Sequence, residues 1–126
     1  MKYIIAGHGQ YPQGTLDTVT LLVGNRDDIF IVSASPENND YQQKLTDYMV
    51  KYENEGLVIF TDLVIGSVNQ YCAQCLKTHS FELISGYNLA LILEIILQSD
   101  LSSQQIDEIV ERSKQQLIYI NEVLGR

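Results

Sequence analysis

Four short runs rich in Ile, Val and Phe recur along the chain, each separated from the next by a segment whose apolar residues fall at helical spacing. The runs are KYIIA (residues 2–6), DIFIVS (28–33), LVIFT (57–61) and FELIS (81–85). Three are nearly continuous in apolar character, the pattern of strands covered on both faces rather than of strands with one wet face. This alternation is the strongest constraint on the fold. A doubly covered strand followed each time by a helix leads to a parallel sheet with helices packed on either face.

The intervening segments carry the helical signal. Leu16, Val19, Thr20 and Val23 form one apolar stripe, which Gly24 is placed to end. Tyr41, Leu45, Tyr48, Met49 and Tyr52 form a second, preceded by the cap candidates Asn38, Asn39 and Asp40. Val68, Tyr71, Cys72, Cys75, Leu76 and His79 form a third. Asn88 can cap the very apolar stretch 89–97, whose length reads as a buried helix. Ile106, Ile109, Val110, Leu117, Ile120 and Leu124 mark one long amphipathic C-terminal helix with Gly125 after it. The expected order is β-α-β-α-β-α-β-α-α. It implies an α/β, three-layer fold: a mainly parallel sheet of about four strands, helices on both faces and a long C-terminal helix. With 126 residues, 45% of them apolar, and no repeat or linker, residues 1–126 read as a single domain.

In such folds chemistry gathers beyond the carboxyl ends of the strands, near the point where the chain reverses direction across the sheet. Four loops fall there: Gly7-His8-Gly9, SASPENND (33–40), TDLVIGS (61–67) and SGYN (85–88). An imidazole titrates near neutral pH and carries a nucleophilic nitrogen. To use one ring nitrogen a site must hold the proton on the other, and a carboxylate is the usual holder. Asp62 is the candidate, because it ends the third run on the edge where His8 ends the first. The glycines around His8 clear space for a second protein to reach the ring. Taken alone, His8 is equally well a turn residue. Gly66-Ser67 stands where a helix should begin, with free N–H groups and a dipole that favours an anion. Ser67 is also an ordinary N-cap, and by itself that role is the simpler one.

Other motifs do not hold. Gly7-x-Gly9 opens like G-x-G-x-x-G, but its sixth position is Pro12, so a dinucleotide cradle is rejected. Cys72-Ala-Gln-Cys75 has the spacing of a redox pair, yet both thiols lie on the apolar stripe inside a helix rather than at its N-terminus. They read as small core residues. His79 would complete three zinc ligands with no fourth, and reads as a satisfied histidine near a helix C-terminus. Sixteen acidic residues against eight basic ones give a net charge of −8. Nucleic acid and anionic membranes are therefore poor partners, and a basic protein surface a better one. The start MKYIIAGHG is too short in apolar residues for a secretory core, and 89–97 is far short of a bilayer span. The chain reads as cytoplasmic, and two cysteines in a helical pattern fit a reducing compartment.

Three loops together resemble a known family. IIAGHGQYPQG, with His8 and the spacing H-G-x-x-x-x-G, resembles the phosphorylation site of the mannose-family IIA domains (mannose, fructose, sorbose and N-acetylgalactosamine type). These belong to the bacterial phosphoenolpyruvate-dependent sugar phosphotransferase system. TDLVIGSVNQ resembles the family's second motif through Asp62, Gly66 and Ser67, and ISGYNLALILE its third through Gly86, Asn88 and Glu94. The resemblance spans essentially the whole chain. It implies that His8 is phosphorylated, that Asp62 holds its imidazole, and that Ser67, Gly66 and Gly9 line the phosphoryl group. It further implies a cytoplasmic homodimer without metal or cofactor. Such a protein takes phosphate from phospho-HPr and passes it to a IIB subunit, which phosphorylates sugar entering through the membrane IIC/IID complex. The sugar is not implied, because a IIA domain does not contact it. Ile65 stands where a second glycine is usual, Val68 where a proline is common, Ala90 for another proline, and Asn69 arrives one residue early.

A histidine relay replaces one N–P bond by another, so positioning and charge stabilisation suffice. None of the four loops contains Lys or Arg. Positive charge would come from the partner. Two alternatives stand beside the relay: a regulatory or interaction paralogue whose His8 is never modified, and a small chelatase-type α/β enzyme. A chelatase wants a second histidine in the cleft, and His79 is expected on the opposite edge of the sheet. A histidine phosphatase wants Arg where Gly7 stands.

Overall fold

The computed structural model describes residues 1–37 and 39–126. It divides into two units, Met1–Tyr87 and Asn88–Arg126. The first contains β1 (Lys2–His8), α1 (Tyr11–Val23), β2 (Ile29–Ala34), α2 (Tyr41–Tyr52), a 3-10 turn (Glu53–Glu55), β3 (Leu57–Thr61), α3 (Ser67–Cys75) and β4 (Glu82–Ser85). The four strands form one sheet in the order β2-β1-β3-β4, and every pairing is parallel. Ala6 pairs with Thr61, while His8 still pairs with Ala34. β1 therefore outruns β3 at the carboxyl edge.

The strand order decides where the helices go. The chain moves one way across the sheet from β1 to β2, and the other way from β2 to β3 and from β3 to β4. Right-handed crossovers then place α1 on one face and α2 with α3 on the opposite face. The packing agrees. Ile4, Ala6, Val32, Leu57 and Ile59 share one buried cluster with Leu45 and Met49 of α2 and Val68 and Cys72 of α3. Their strand neighbours Ile5, Val58 and Phe60 are fully buried and, by the pleat, point the other way. This is the three-layer α/β arrangement expected from the doubly apolar runs.

Helix starts are where pattern and structure part. α1 begins at Tyr11, ahead of Leu16, because Pro12 occupies a first-turn position where its missing N–H is no loss. The added turn exposes Gln13 and Gly14, so it adds nothing to the apolar stripe. Asp40 precedes α2 without a side-chain capping bond, and Asn38 lies outside the described residues. α3 stops at Cys75, which leaves Leu76 and His79 in the turns that follow.

The second unit holds α4 (Leu89–Ile96), α5 (Ser103–Lys114) and α6 (Ile120–Val123). Asn88 caps α4, its Oδ1 accepting from the Leu91 N–H at 2.9 Å, while its Nδ2 donates to the Ser113 carbonyl at 2.8 Å. Ser102 and Gln105 form a capping box that starts α5. Glu94 of α4 pairs with Arg112 of α5. The single long C-terminal helix expected through Leu124 does not form: α5 ends at Lys114, and only the short α6 follows. The run Leu117-Ile118-Tyr119-Ile120 would place apolar side chains all round a helix, two of them β-branched, and Leu117 is 93% exposed. With no single buried face to hold it, the helix breaks there. Among the described residues no helix is long and apolar enough to cross a membrane.

Candidate functional site

β1 and β3 are neighbours whose following connections leave in opposite directions, α1 towards β2 and α3 towards β4. The gap between their carboxyl ends is the switch point of the sheet. His8 ends β1 on one side of it, and Asp62 follows β3 on the other.

The two residues make a specific pair. Asp62 Oδ2 lies 2.9 Å from His8 Nδ1 and also accepts the His8 backbone N–H at 2.9 Å. Asp62 Oδ1 accepts the Leu63 N–H at 2.9 Å. Its carboxylate is thus held by three donors and is only 8% exposed, whereas the His8 side chain is 42% exposed. A carboxylate accepts and does not donate, so Nδ1 carries a proton, and in the neutral ring Nε2 holds the free lone pair. The arrangement presents an oriented nucleophilic nitrogen to solvent.

The neighbouring glycines have separate functions. A Cβ at Gly7 would lie 2.6 Å from Asp62 Oδ2 and 2.7 Å from Asp62 Cγ. The carboxylate crosses directly over Gly7 to reach His8, so this glycine makes room for Asp62 rather than for a partner. Sequence reasoning missed this, because the contact comes from a different strand. Gly9 has φ +59° and open space around it, and its N–H donates to the Ala34 carbonyl at 3.0 Å. A Cβ at Gly66 would lie 3.1 Å from His8 Cε1, so the start of α3 stands against the edge of the imidazole. The Gly66 N–H is engaged as well, donating to the Leu63 carbonyl at 3.0 Å.

Ser67 is not the N-cap. Gly66 occupies that position, and Ser67 is the first residue of α3, exposed and without a capping bond from its side chain. Its hydroxyl and the first N–H groups of the helix are therefore available to an anion. Beside the pair, Tyr11, Leu63, Val64 and Ile65 are exposed apolar residues, the last by 81%. On the α1 side Tyr87 is buried with its ring edge-on to Tyr11. Thr15 Oγ1 donates to the Tyr11 carbonyl at 2.8 Å, which leaves the Tyr87 hydroxyl to donate to Thr15 Oγ1 at 3.2 Å. Burial pushes the Tyr87 phenol up to about 12, in keeping with its hydroxyl serving as the donor to Thr15.

The remaining candidates lie away from this edge. Cys72 is fully buried in the core, and burial pushes its thiol up to about 12, the opposite of an activated thiolate. His79 precedes β4 at the amino edge of the sheet, where its Nδ1 lies 2.8 Å from Glu53 Oε2. The second histidine a chelatase needs is therefore not in the cleft with His8. Of the third motif, Asn88 and Glu94 belong to α4 and its cap, and Gly86 turns the chain after β4 with φ +77°.

A parallel α/β sheet that presents one carboxylate-held histidine at its switch point belongs to the class of small histidine-bearing α/β proteins. Residues 2–114 match the family model described as the PTS system fructose IIA component, of the EIIA-man type. The chain belongs to this family of phosphotransferase-system IIA components. Among solved structures it is similar to a protein from Klebsiella pneumoniae assigned as a phosphoenolpyruvate-dependent sugar phosphotransferase system permease. The two are 31% identical over 98% of this chain and 93% of the other, with a TM-score of 0.85. The mannose/sorbose-specific IIA subunit from Enterococcus faecalis shares the fold at 21% identity, with 93% and 92% of the two chains covered and a TM-score of 0.82. So does a sigma-54 interaction domain protein from the same organism, at 17% identity, 97% and 94% coverage and a TM-score of 0.72. No curated protein matches the sequence at a comparable level of significance.

Proposed function

We propose that this chain is a phosphoryl carrier of a sugar phosphotransferase system, with His8 Nε2 accepting phosphate from phospho-HPr and passing it to a IIB subunit. The observation that carries the reading is the Asp62 carboxylate on His8 Nδ1 at 2.9 Å, which leaves Nε2 as the unengaged nitrogen of a side chain 42% exposed. In the reaction the N–P bond of the donor histidine breaks as a new N–P bond forms at Nε2. Positive charge develops on the His8 ring, and Asp62 stabilises it from the far side. Neither group need gain or lose a proton, so catalysis reduces to in-line placement and charge stabilisation. Ser67 and the first N–H groups of α3 receive the phosphoryl oxygens, while Gly9 and Gly66 act through the space they leave.

The loops around His8 offer no Lys or Arg, so the partner supplies the cations that screen the phosphoryl charge. Exposed Tyr11, Leu63, Val64 and Ile65 supply the apolar contact that keeps water from the transfer. On this reading residues 1–126 act as one cytoplasmic phosphotransfer unit, homodimeric, working beside the membrane IIC/IID complex.

The test is direct. Incubation with phosphoenolpyruvate, enzyme I and HPr should give an acid-labile, base-stable phosphate on the wild-type chain and none on His8→Ala. Absence of label with active HPr would overturn the relay and leave a regulatory interaction module as the reading.

A further inference from the structure

In the Met1–Tyr87 unit, Thr61 and Asn69 are the buried polar residues among those described, and they touch each other. Thr61 Oγ1 donates to Asn69 Oδ1 at 2.8 Å. Asn69 Nδ2 in turn donates to the Val64 carbonyl at 3.0 Å. A buried carboxamide needs partners, but not these partners. Here its donor reaches out of the core and takes hold of the loop beside His8.

That loop is small and fully tied. The Gly66 N–H closes it on the Leu63 carbonyl, and Gln70 Nε2 donates to the Ile65 carbonyl at 3.1 Å. The carbonyls of Leu63, Val64 and Ile65 are thus all occupied, two of them by side chains from the first turns of α3. The loop meets the catalytic pair at both of its ends. Its first N–H, from Leu63, fixes Asp62 Oδ1, and its last residue, Gly66, stands against His8 Cε1. One position later on α3, Gln70 is exposed, so the inward reach to Thr61 belongs to position 69.

We propose that Asn69 is a positioning residue for His8. Its carboxamide sets the arc of the 63–66 turn, and through Leu63 and Gly66 it fixes the Asp62 carboxylate and the imidazole in one geometry. As a contribution to phosphoryl transfer this rests on the reading of His8 as the acceptor; as a statement about the ring it does not.

The test uses the whole chain. Asn69→Leu keeps the branched outline of the side chain, with bulkier methyl groups, and removes both hydrogen bonds. Leu45→Ala, on the core face of α2, provides a destabilised control that removes none of the hydrogen bonds of the turn or of the histidine. Long-range proton–nitrogen spectra of the His8 ring report which nitrogen is protonated, and amide exchange at Gly66 reports closure of the turn. Asn69→Leu is expected to speed Gly66 exchange about 10-fold or more, to mix the two His8 tautomers, and to slow phosphoryl acceptance by about 10- to 100-fold. Leu45→Ala should lower the melting temperature and leave ring and turn as in the wild type. Unchanged His8 resonances in Asn69→Leu, or equal changes in Leu45→Ala, would overturn the positioning role. Should Asn69→Leu not fold, Asn69→Ser, which is too short to span from Thr61 to Val64, makes the same comparison. The spectroscopic readouts need no phosphate. A wild-type chain that takes no label would sink the carrier reading while still testing the tether.

Discussion

Gly7 is the position where one added carbon decides most about the site. It pairs with Ser33 in the β1–β2 ladder, with Ala6 and His8 paired on either side of it, so the backbone has little freedom to step aside. A methyl group there would overlap the Asp62 carboxylate, and Asp62 rather than the strand must move. Moving it breaks the bond to His8 Nδ1 and leaves the His8 N–H without its acceptor. Gly7→Ala is therefore expected to fold with a stability loss of about 1–3 kcal/mol and to accept phosphate about 100-fold more slowly. Urea unfolding and the labelling rate check the two parts separately, and a variant as fast as wild type would show that Asp62 does not orient the ring. The contact between His8 and Asp62 and the helix start at Gly66-Ser67 were legible in the sequence, because histidine, carboxylate and helix start each carry a chemical signature, although the cap is Gly66 and not Ser67. Gly7 and Asn69 were not. Their functions depend on which side chain arrives from a neighbouring element, and spacing along one strand or helix does not record that.

Elements were legible to the extent that burial imposes a period. All four strands appear where Ile, Val and Phe cluster, with ends shifted by a residue or two, as at His8 beyond Ala6. The start of α1 and the break after α5 were not legible, since exposed first turns and the run Leu117–Ile120 obey no apolar period. One contact between elements gives a prediction with a definite sign. His79, in the turn after α3, hydrogen-bonds Glu53, in the turn after α2, and this holds the Glu53 carboxyl below the usual carboxylate range. Unfolding frees Glu53 to take up a proton at a higher pH, so in that window the unfolded chain binds more protons and stability rises with pH. The contribution is complete above the ordinary glutamate value of about 4.3 and is lost as pH falls through the lower folded value. Glu53→Gln keeps the shape and removes the charge. Melting curves should show it less stable than wild type above about pH 5, with the difference shrinking steadily as pH falls below about 4. A difference that persists unchanged at acid pH would mean the pair acts through packing instead.

For the whole molecule, the net charge of −8 and the apolar surface around His8 make opposite demands on a partner. The charge acts over a distance and favours a basic surface, but salt screens it: the Debye length falls from about 10 Å at 0.1 M to about 3 Å at 1 M. The patch of Tyr11, Leu63, Val64 and Ile65 acts only on contact, and salt does not weaken it. Since the loops hold no cation, the charge cannot bind phosphate at this site and can only gather a basic donor towards it. Steering of this kind changes how often partners meet, not how fast the docked pair reacts. Raising ionic strength from about 0.05 to about 0.5 M should therefore lower kcat/KM for phosphoryl acceptance roughly 10-fold and leave kcat nearly constant. Steady-state labelling at several donor concentrations separates the two constants. A kcat/KM that holds or rises with salt would assign docking to the apolar patch alone. In that case Ile65→Gly, which removes the most exposed side chain of the patch, should raise KM more than any change of surface charge.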